Sequence, residues 1–337
     1  MNKKLLALAI GAAIAMPVAA LAEGPTLYGQ IDLSLENFDN GAADLWTVEN
    51  NASRIGVKGS ADTGVSGLQG IYRAEFGVDA DDGASPFTGR NIYAGLKGDF
   101  GTVLLGNIDT PLKSAQGPVD QFNDTRADMA GYVAGELRAR DIVAYATPKI
   151  GDAVTVTVAL WQSEGAPLAD NTAGDGIGDA VSASVVYENE GLYLALAMDQ
   201  ETPNIGDGDL SNAAGGVDLD AFSDDYHDIL RAVAAYSTDS FEVGFLFQSA
   251  EGADTPATNA EDTSMVLSGA YKTGDWKFKA QYGQTEGDGS SNTLTALALG
   301  ADYAVGKATT LKAMYAAAED DAGLDDTLLS FGIKQMF

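Results

Sequence analysis

The chain has no cysteine and only one histidine, His227. Without thiols there is no disulfide and no thiol chemistry, so packing and hydrogen bonds must hold the fold. One imidazole cannot build a multi-histidine metal centre. It also leaves a histidine-based triad a single candidate base, and no recognisable motif surrounds it. Basic side chains are scarce, 19 Lys and Arg against 49 Asp and Glu, for a formal net charge of −30. Such a surface repels nucleic acid and anionic headgroups. Past residue 22 no apolar run approaches the roughly 18–20 residues of a spanning helix. Inside lipid only helices and closed barrels satisfy every backbone group. The chain is therefore either soluble or a barrel.

The first residues read MNKKLLALAIGAAIAMPVAALAEG. Lys3 and Lys4 form a basic start, an apolar run follows, and Ala20-Leu21-Ala22 is a small-x-small cleavage signal. That is the pattern of a secretory signal peptide, expected at 1–22 and removed on export. The remaining 23–337 reads as a single domain. It keeps 17 basic residues (19 minus Lys3 and Lys4) against 49 acidic ones, a formal charge of −32 (17 − 49).

The dominant period of that domain is two. In VTVTVALW, Val154, Val156, Val158 and Leu160 share one face. In WKFKAQY, Trp276, Phe278, Ala280 and Tyr282 oppose Lys277, Lys279 and Gln281. Successive side chains of a strand point to opposite faces, so each such run has one apolar and one polar side. Sixteen runs are expected between 26–38 and 326–337, with 44–59 read as the second. Tight connections such as Asn189-Glu190-Gly191 and Thr273-Gly274-Asp275 alternate with long ones rich in Asp, Gly and Ala. A soluble sandwich also alternates apolar and polar residues. The even count, the strand length near ten residues, and one plain end opposite one elaborate end favour a transmembrane barrel. The expected fold is thus an all-β, 16-stranded antiparallel transmembrane barrel. The C-terminal LLSFGIKQMF fits: Phe331, Ile333 and Phe337 share a parity, as in the insertion signal of outer-membrane barrels.

One stretch does not alternate. QGPVDQFNDTRADMAGYVAGELRARD, 116–141, is long, irregular and of mixed charge. Four other stretches frame a resemblance that covers the mature chain. These are TLYGQIDLSLE (26–36), NASRIGVKGS (51–60), GRNIYAGLKGDFGTVLLGNIDTP (89–111) and RARDIVAYATPKIGD (138–152). Together, in this order and spacing, they resemble the general, non-specific trimeric porins of Gram-negative outer membranes. Two positions depart from that pattern, Asn107 and Asp141, where the family has Arg and Asn.

The resemblance implies a homotrimer in outer-membrane lipid, passing small hydrophilic solutes and ions by passive diffusion. It implies that loop 109–140, after the fifth strand, folds into the barrel and narrows it. The acidic side of the constriction is then expected from Asp120, Asp124, Asp128 and Glu136. Asp124 and Asp128 are spaced to share one face if helical. The basic side is expected from Arg54, Arg73, Arg126, Arg138 and Arg140. Strand parity turns Lys58, Glu75, Lys277, Lys279, Lys312 and Lys334 to the lumen, because a charge facing lipid costs about 2–4 kcal/mol at the midplane. The excess acid and Asn107 lean toward cation preference; the arginines pull the other way. Asp207, Asp209, Asp218 and Asp220 fall in one loop and are weak candidates for Ca2+; no cofactor is otherwise expected. An adhesin or structural barrel acting through its acidic loops is the alternative. An enzyme is not expected.

Overall fold

The computed structural model describes residues 24–81, 86–162, 176–202, 227–252, 261–287 and 292–337. The expected signal segment and the four loop aspartates from Asp207 to Asp220 lie outside the described residues. The first nine strands are β1 (Thr26–Asp39), β2 (Asp44–Asn50), β3 (Arg54–Asp62), β4 (Gln69–Val78), β5 (Phe87–Gly98), β6 (Gly101–Asp109), β7 (Arg138–Ala146), β8 (Val154–Trp161) and β9 (Ala180–Asn189). The remainder are β10 (Leu192–Thr202), β11 (His227–Ser237), β12 (Phe241–Gly252), β13 (Glu261–Thr273), β14 (Trp276–Gly287), β15 (Asn292–Ala304), β16 (Thr309–Asp320) and β17 (Asp325–Met336). Each pairs antiparallel with its neighbours, and β17 returns to β1 from Gln30↔Met336 to Asp39↔Thr327. The sheet is closed, and no edge is left to be satisfied in lipid.

Seventeen segments make sixteen passages. The run expected at 44–59 is broken at Asn51–Ser53, and its two halves, β2 and β3, pair with successive parts of the same strand, β1. Ala52 has a positive φ of 51°. Asn51 donates to the Asp32 carbonyl at 2.8 Å and, through Nδ2, to Ser34 Oγ at 2.8 Å. The side chains thus repair locally what the bend takes from the ladder.

Alternation appears directly as burial. Leu196 on β10 is 62% exposed and its neighbour Ala197 3%. Leu267, Phe245, Leu105 and Phe331 likewise stand outward on an apolar belt. Phe331 and Ile333, two of the three C-terminal signal positions, belong to that belt. The third, Phe337, completes the closure. Its carbonyl accepts from Gly29 N at 3.0 Å, its own N donates to Gly29 O at 3.1 Å, and its ring lies where a side chain at Gly29 would stand. Tight connections, including 99–100, 190–191 and 274–275, share one end of the barrel with both termini of the wall. The wider ones, including 110–137, are at the other.

Candidate functional site

The connection between β6 and β7 turns into the barrel. It starts with a helical turn, α1 (Pro111–Ser114). Thr110 is the N-cap and its side chain accepts from Lys113 N at 3.1 Å; Pro111 stands where no amide hydrogen is needed. The two legs are fastened together at the wall. Thr110 N donates to Leu137 O at 3.1 Å, and Lys113 Nζ to Glu136 O at 2.7 Å. The outgoing leg then follows the lumen face of the wall. Leu112 N donates to Ser182 Oγ on β9 at 3.1 Å, and Tyr193 on β10 donates to Ala115 O at 3.1 Å. Farther along, Gln121 N donates to Gln281 Oε1 on β14 at 2.8 Å, and Phe122 packs beside Gly300 on β15. Leu112, Val119, Phe122 and Met129 are each at most 1% exposed. The irregular insert is therefore docked through its apolar residues, which bury against the inward faces of β9–β16.

The four acidic residues expected to line the constriction part company here. Only Asp124 meets the facing wall, accepting from Arg54 Nη1 at 2.9 Å with Arg90 Nη2 4.0 Å away. Asp120 and Asp128 are buried inside the loop. Asp120 accepts from Phe122 N at 2.8 Å and Met129 N at 3.1 Å. Asp128 accepts from Ala130 N at 2.9 Å and Asp124 N at 2.8 Å. Burial pushes both carboxyl groups above the usual range; the nearby Asp120 charge and hydrogen bond add to the rise at Asp128, while the hydrogen bond with Asp128 works against the rise at Asp120. The helical spacing expected for Asp124 and Asp128 is also absent. Asp124 has φ 68°, and Asp128 caps a 3-10 turn, Met129–Gly131.

Glu136 is buried as well. Arg231, on β11 and wholly buried, reaches it with Nη1 at 2.6 Å. Burial pushes the Glu136 carboxyl up, against the pull of that guanidinium. The same guanidinium donates to Leu112 O at 3.2 Å on one leg and to Ala134 O at 2.9 Å on the other, while Nε donates to Gln248 Oε1 at 2.8 Å. Arg231 was not singled out in the sequence, although strand parity already turned it inward from Leu230, which is 63% exposed.

The wall opposite the docked loop, β3–β7, carries arginines. Arg73 pairs with Glu75, and its Nε donates to the Tyr28 hydroxyl at 2.8 Å; Lys58 lies 5.0 Å over the Tyr28 ring. Arg90, also missed, donates through Nε to Glu75 Oε1 at 3.0 Å. The register slips between Ala74 and Phe76, so simple alternation along β5 did not place it. Arg138 Nε contacts Asp109 Oδ1 at 2.9 Å. Arg140, expected on the basic side of the constriction, is instead exposed in a bulge beside Asp141, whose φ is 58°. Arg126 belongs to the loop and leaves the aperture for the wall, where it pairs with Glu36 at 3.0 Å and with Glu49. Toward the end with the tight turns, Lys277 pairs with Glu242 at 2.9 Å, Lys279 with Asp302 at 3.1 Å, and Lys312 and Lys334 both with Asp32. Among the described residues, no group of three or more His, Asp or Glu is placed to hold a metal.

A wide closed barrel, a loop docked across its lumen and an arginine-bearing wall facing that loop make a narrowed aqueous passage. The Gram-negative porin family matches residues 7–323. The chain is 24% identical to the major outer membrane protein P.IB of Neisseria gonorrhoeae, over 92% of this chain and 91% of that one. Among solved structures it resembles an anion-selective porin from Comamonas acidovorans, with TM-score 0.73, 21% identity and coverage of 93% of this chain and 99% of that one. It also resembles the trimer form of OmpT from Vibrio cholerae, with TM-score 0.68, 15% identity and coverage of 93% and 99%. The chain belongs to the Gram-negative porins, channel-forming barrels of the outer membrane.

Proposed function

We propose that the channel passes small hydrophilic solutes by diffusion, that loop 109–140 sets its narrowest place, and that this place favours anions. One observation carries the sign: at Glu75 and Asp32 the basic side chains are more accessible than the acids they pair with, although Arg138 at 14% is less so than Asp109 at 29%. Side-chain exposure is 20% for Arg73 against 2% for Glu75, and 15% and 29% for Lys312 and Lys334 against 3% for Asp32. Around the aperture, Arg54, Lys58, Arg73, Arg90 and Arg138 stand against Glu75, Asp109 and Asp124, an excess of two positive charges (5 − 3). Asp120, Asp128 and Glu136 are withdrawn into the loop. The net charge of −30 supports the cation lean drawn from composition, but distant, exposed charge is screened within about 8–10 Å at ordinary ionic strength. The permeating ion responds most to the groups at the narrowest place. The C. acidovorans relative is described as anion-selective, which supports the same sign. Likeness to a trimeric relative supports a homotrimer, and the exposed apolar belt of Leu196, Leu267 and Phe331 supports lipid around it.

The test is the zero-current potential of the reconstituted channel in a potassium chloride gradient. Anion preference gives the sign set by chloride; the potassium sign defeats this reading and restores the cation lean.

A further inference from the structure

Three loop side chains end in places where the wall has no side chain. Val119, Phe122 and Tyr132 are 0%, 1% and 7% exposed, and they seat on Gly244 of β12, Gly300 of β15 and Gly283 of β14. All three glycines point inward, since the flanking Val243, Phe245, Tyr282 and Leu299 stand on the outer face. A Cβ on Gly300 would fall 2.8 Å from Phe122 Cε1, and one on Gly244 would fall 3.0 Å from Val119 Cγ2 and 3.1 Å from its Cα. At Gly283 a Cβ would lie 2.6 Å from the Tyr132 hydroxyl oxygen and still closer to the ring.

None of the three glycines has a positive φ. Their backbones suit any residue, and glycine in a strand otherwise costs stability. What the positions require is empty space. The loop is rigid where it meets them. Tyr132 accepts at its hydroxyl from Gln281 Nε2 at 3.0 Å, and its carbonyl accepts from Thr285 Oγ1. A ring so held on both sides cannot swing away without carrying its backbone along.

We propose that Gly244, Gly283 and Gly300 gauge the pore: by letting the loop sit flush on β12–β15, they set how far it projects into the lumen and so which solutes pass. The size limit is then encoded in the wall as much as in the loop. This rests on the channel reading with loop 109–140 as its narrowest place. It predicts a direction that loosening would not produce, because a methyl group added behind the loop pushes it toward the axis and narrows the passage.

The experiment compares single-channel conductance and liposome-swelling rates with neutral sugars of increasing size for the intact protein, Gly283→Ala, and Gly283→Ala combined with Tyr132→Val. Relieving the contact needs a shift of about 1 Å, so conductance of Gly283→Ala falls on the order of one-fifth. Larger sugars are slowed more than small ones, and the double variant recovers. Gly300→Ala, alone and with Phe122→Leu, repeats the test at a second socket should Gly283→Ala not assemble. Heat-modifiability on gels confirms folded barrels throughout. Unchanged or raised conductance in folded Gly283→Ala or Gly300→Ala, or no recovery in the double variants, overturns the gauge. If the intact protein conducts nothing, the channel reading itself fails.

Discussion

Replacing Arg231 by Met removes a side chain that ties both legs of the loop to the wall. Its guanidinium serves Glu136 at 2.6 Å, Leu112 O at 3.2 Å and Ala134 O at 2.9 Å. Breaking a buried pair by removing one partner costs about 3–5 kcal/mol, because the other charge is stranded. Ala134 O keeps a second donor, Gln248 Nε2 at 3.0 Å, which favours the lower figure. About 3 kcal/mol multiplies the ratio of unseated to seated loop by about 100. The loop does not fall open, since Leu112, Val119, Phe122 and Met129 are all buried against the wall and each is worth about 2 kcal/mol. The expected result is a channel of near-normal mean conductance with much larger open-channel noise, and a loop cut faster by protease. Glu136→Leu added to Arg231→Met removes the stranded carboxylate and recovers part of the loss, as a double-mutant cycle measures. Noise and cleavage indistinguishable from the intact protein in the single variant would refute the staple.

Two more expectations concern charge. The raised carboxyl groups of Asp120 and Asp128 bind a proton more tightly in the folded loop than in an unseated one. Their stabilising effect is full below the ordinary carboxylate value of about 3.9 and is lost as pH rises through the raised folded value. Open-channel noise should therefore grow toward alkaline pH, and Asp128→Asn, which stays neutral, should flatten that dependence. At the opposite wall, Lys58→Gln removes an exposed positive charge. A charge about 6 Å from the ion path in water, screened at ordinary ionic strength, shifts the anion-to-cation permeability ratio about threefold, read as a change in zero-current potential.

Period-two alternation made the barrel legible, because lipid outside and water inside impose opposite chemistry on neighbouring residues along a strand. The same parity placed Arg54, Arg73 and Glu75 inward, and it would have exposed Arg231 had β11 been read residue by residue. Arg90 was hidden by the slip opposite Glu75. The break at Asn51–Ser53 carries neither glycine nor proline, so one run stood for two segments. The loop was visible as a lapse in periodicity, and of its four expected carboxylates Asp124 meets the facing wall while Asp120, Asp128 and Glu136 are buried. Sequence shows that Asp120, Asp128 and Glu136 are ionisable, not that they are buried. Their burial depends on partners 95 residues away, as for Glu136 and Arg231, or 160 away, as for Gln121 and Gln281. The wall glycines gave no signal, since the space they leave is defined by side chains far off in the chain.

The central claim is that the segment between β6 and β7 occupies and narrows the lumen. Its legs already meet where Thr110 N donates to Leu137 O, so 116–136 can be removed and the ends joined without straining the wall. Single-channel conductance of that deletion in planar bilayers, beside the intact protein, tests the claim most directly. The account predicts a clearly larger conductance with weaker discrimination between small and large sugars; a conductance equal to that of the intact channel would contradict it.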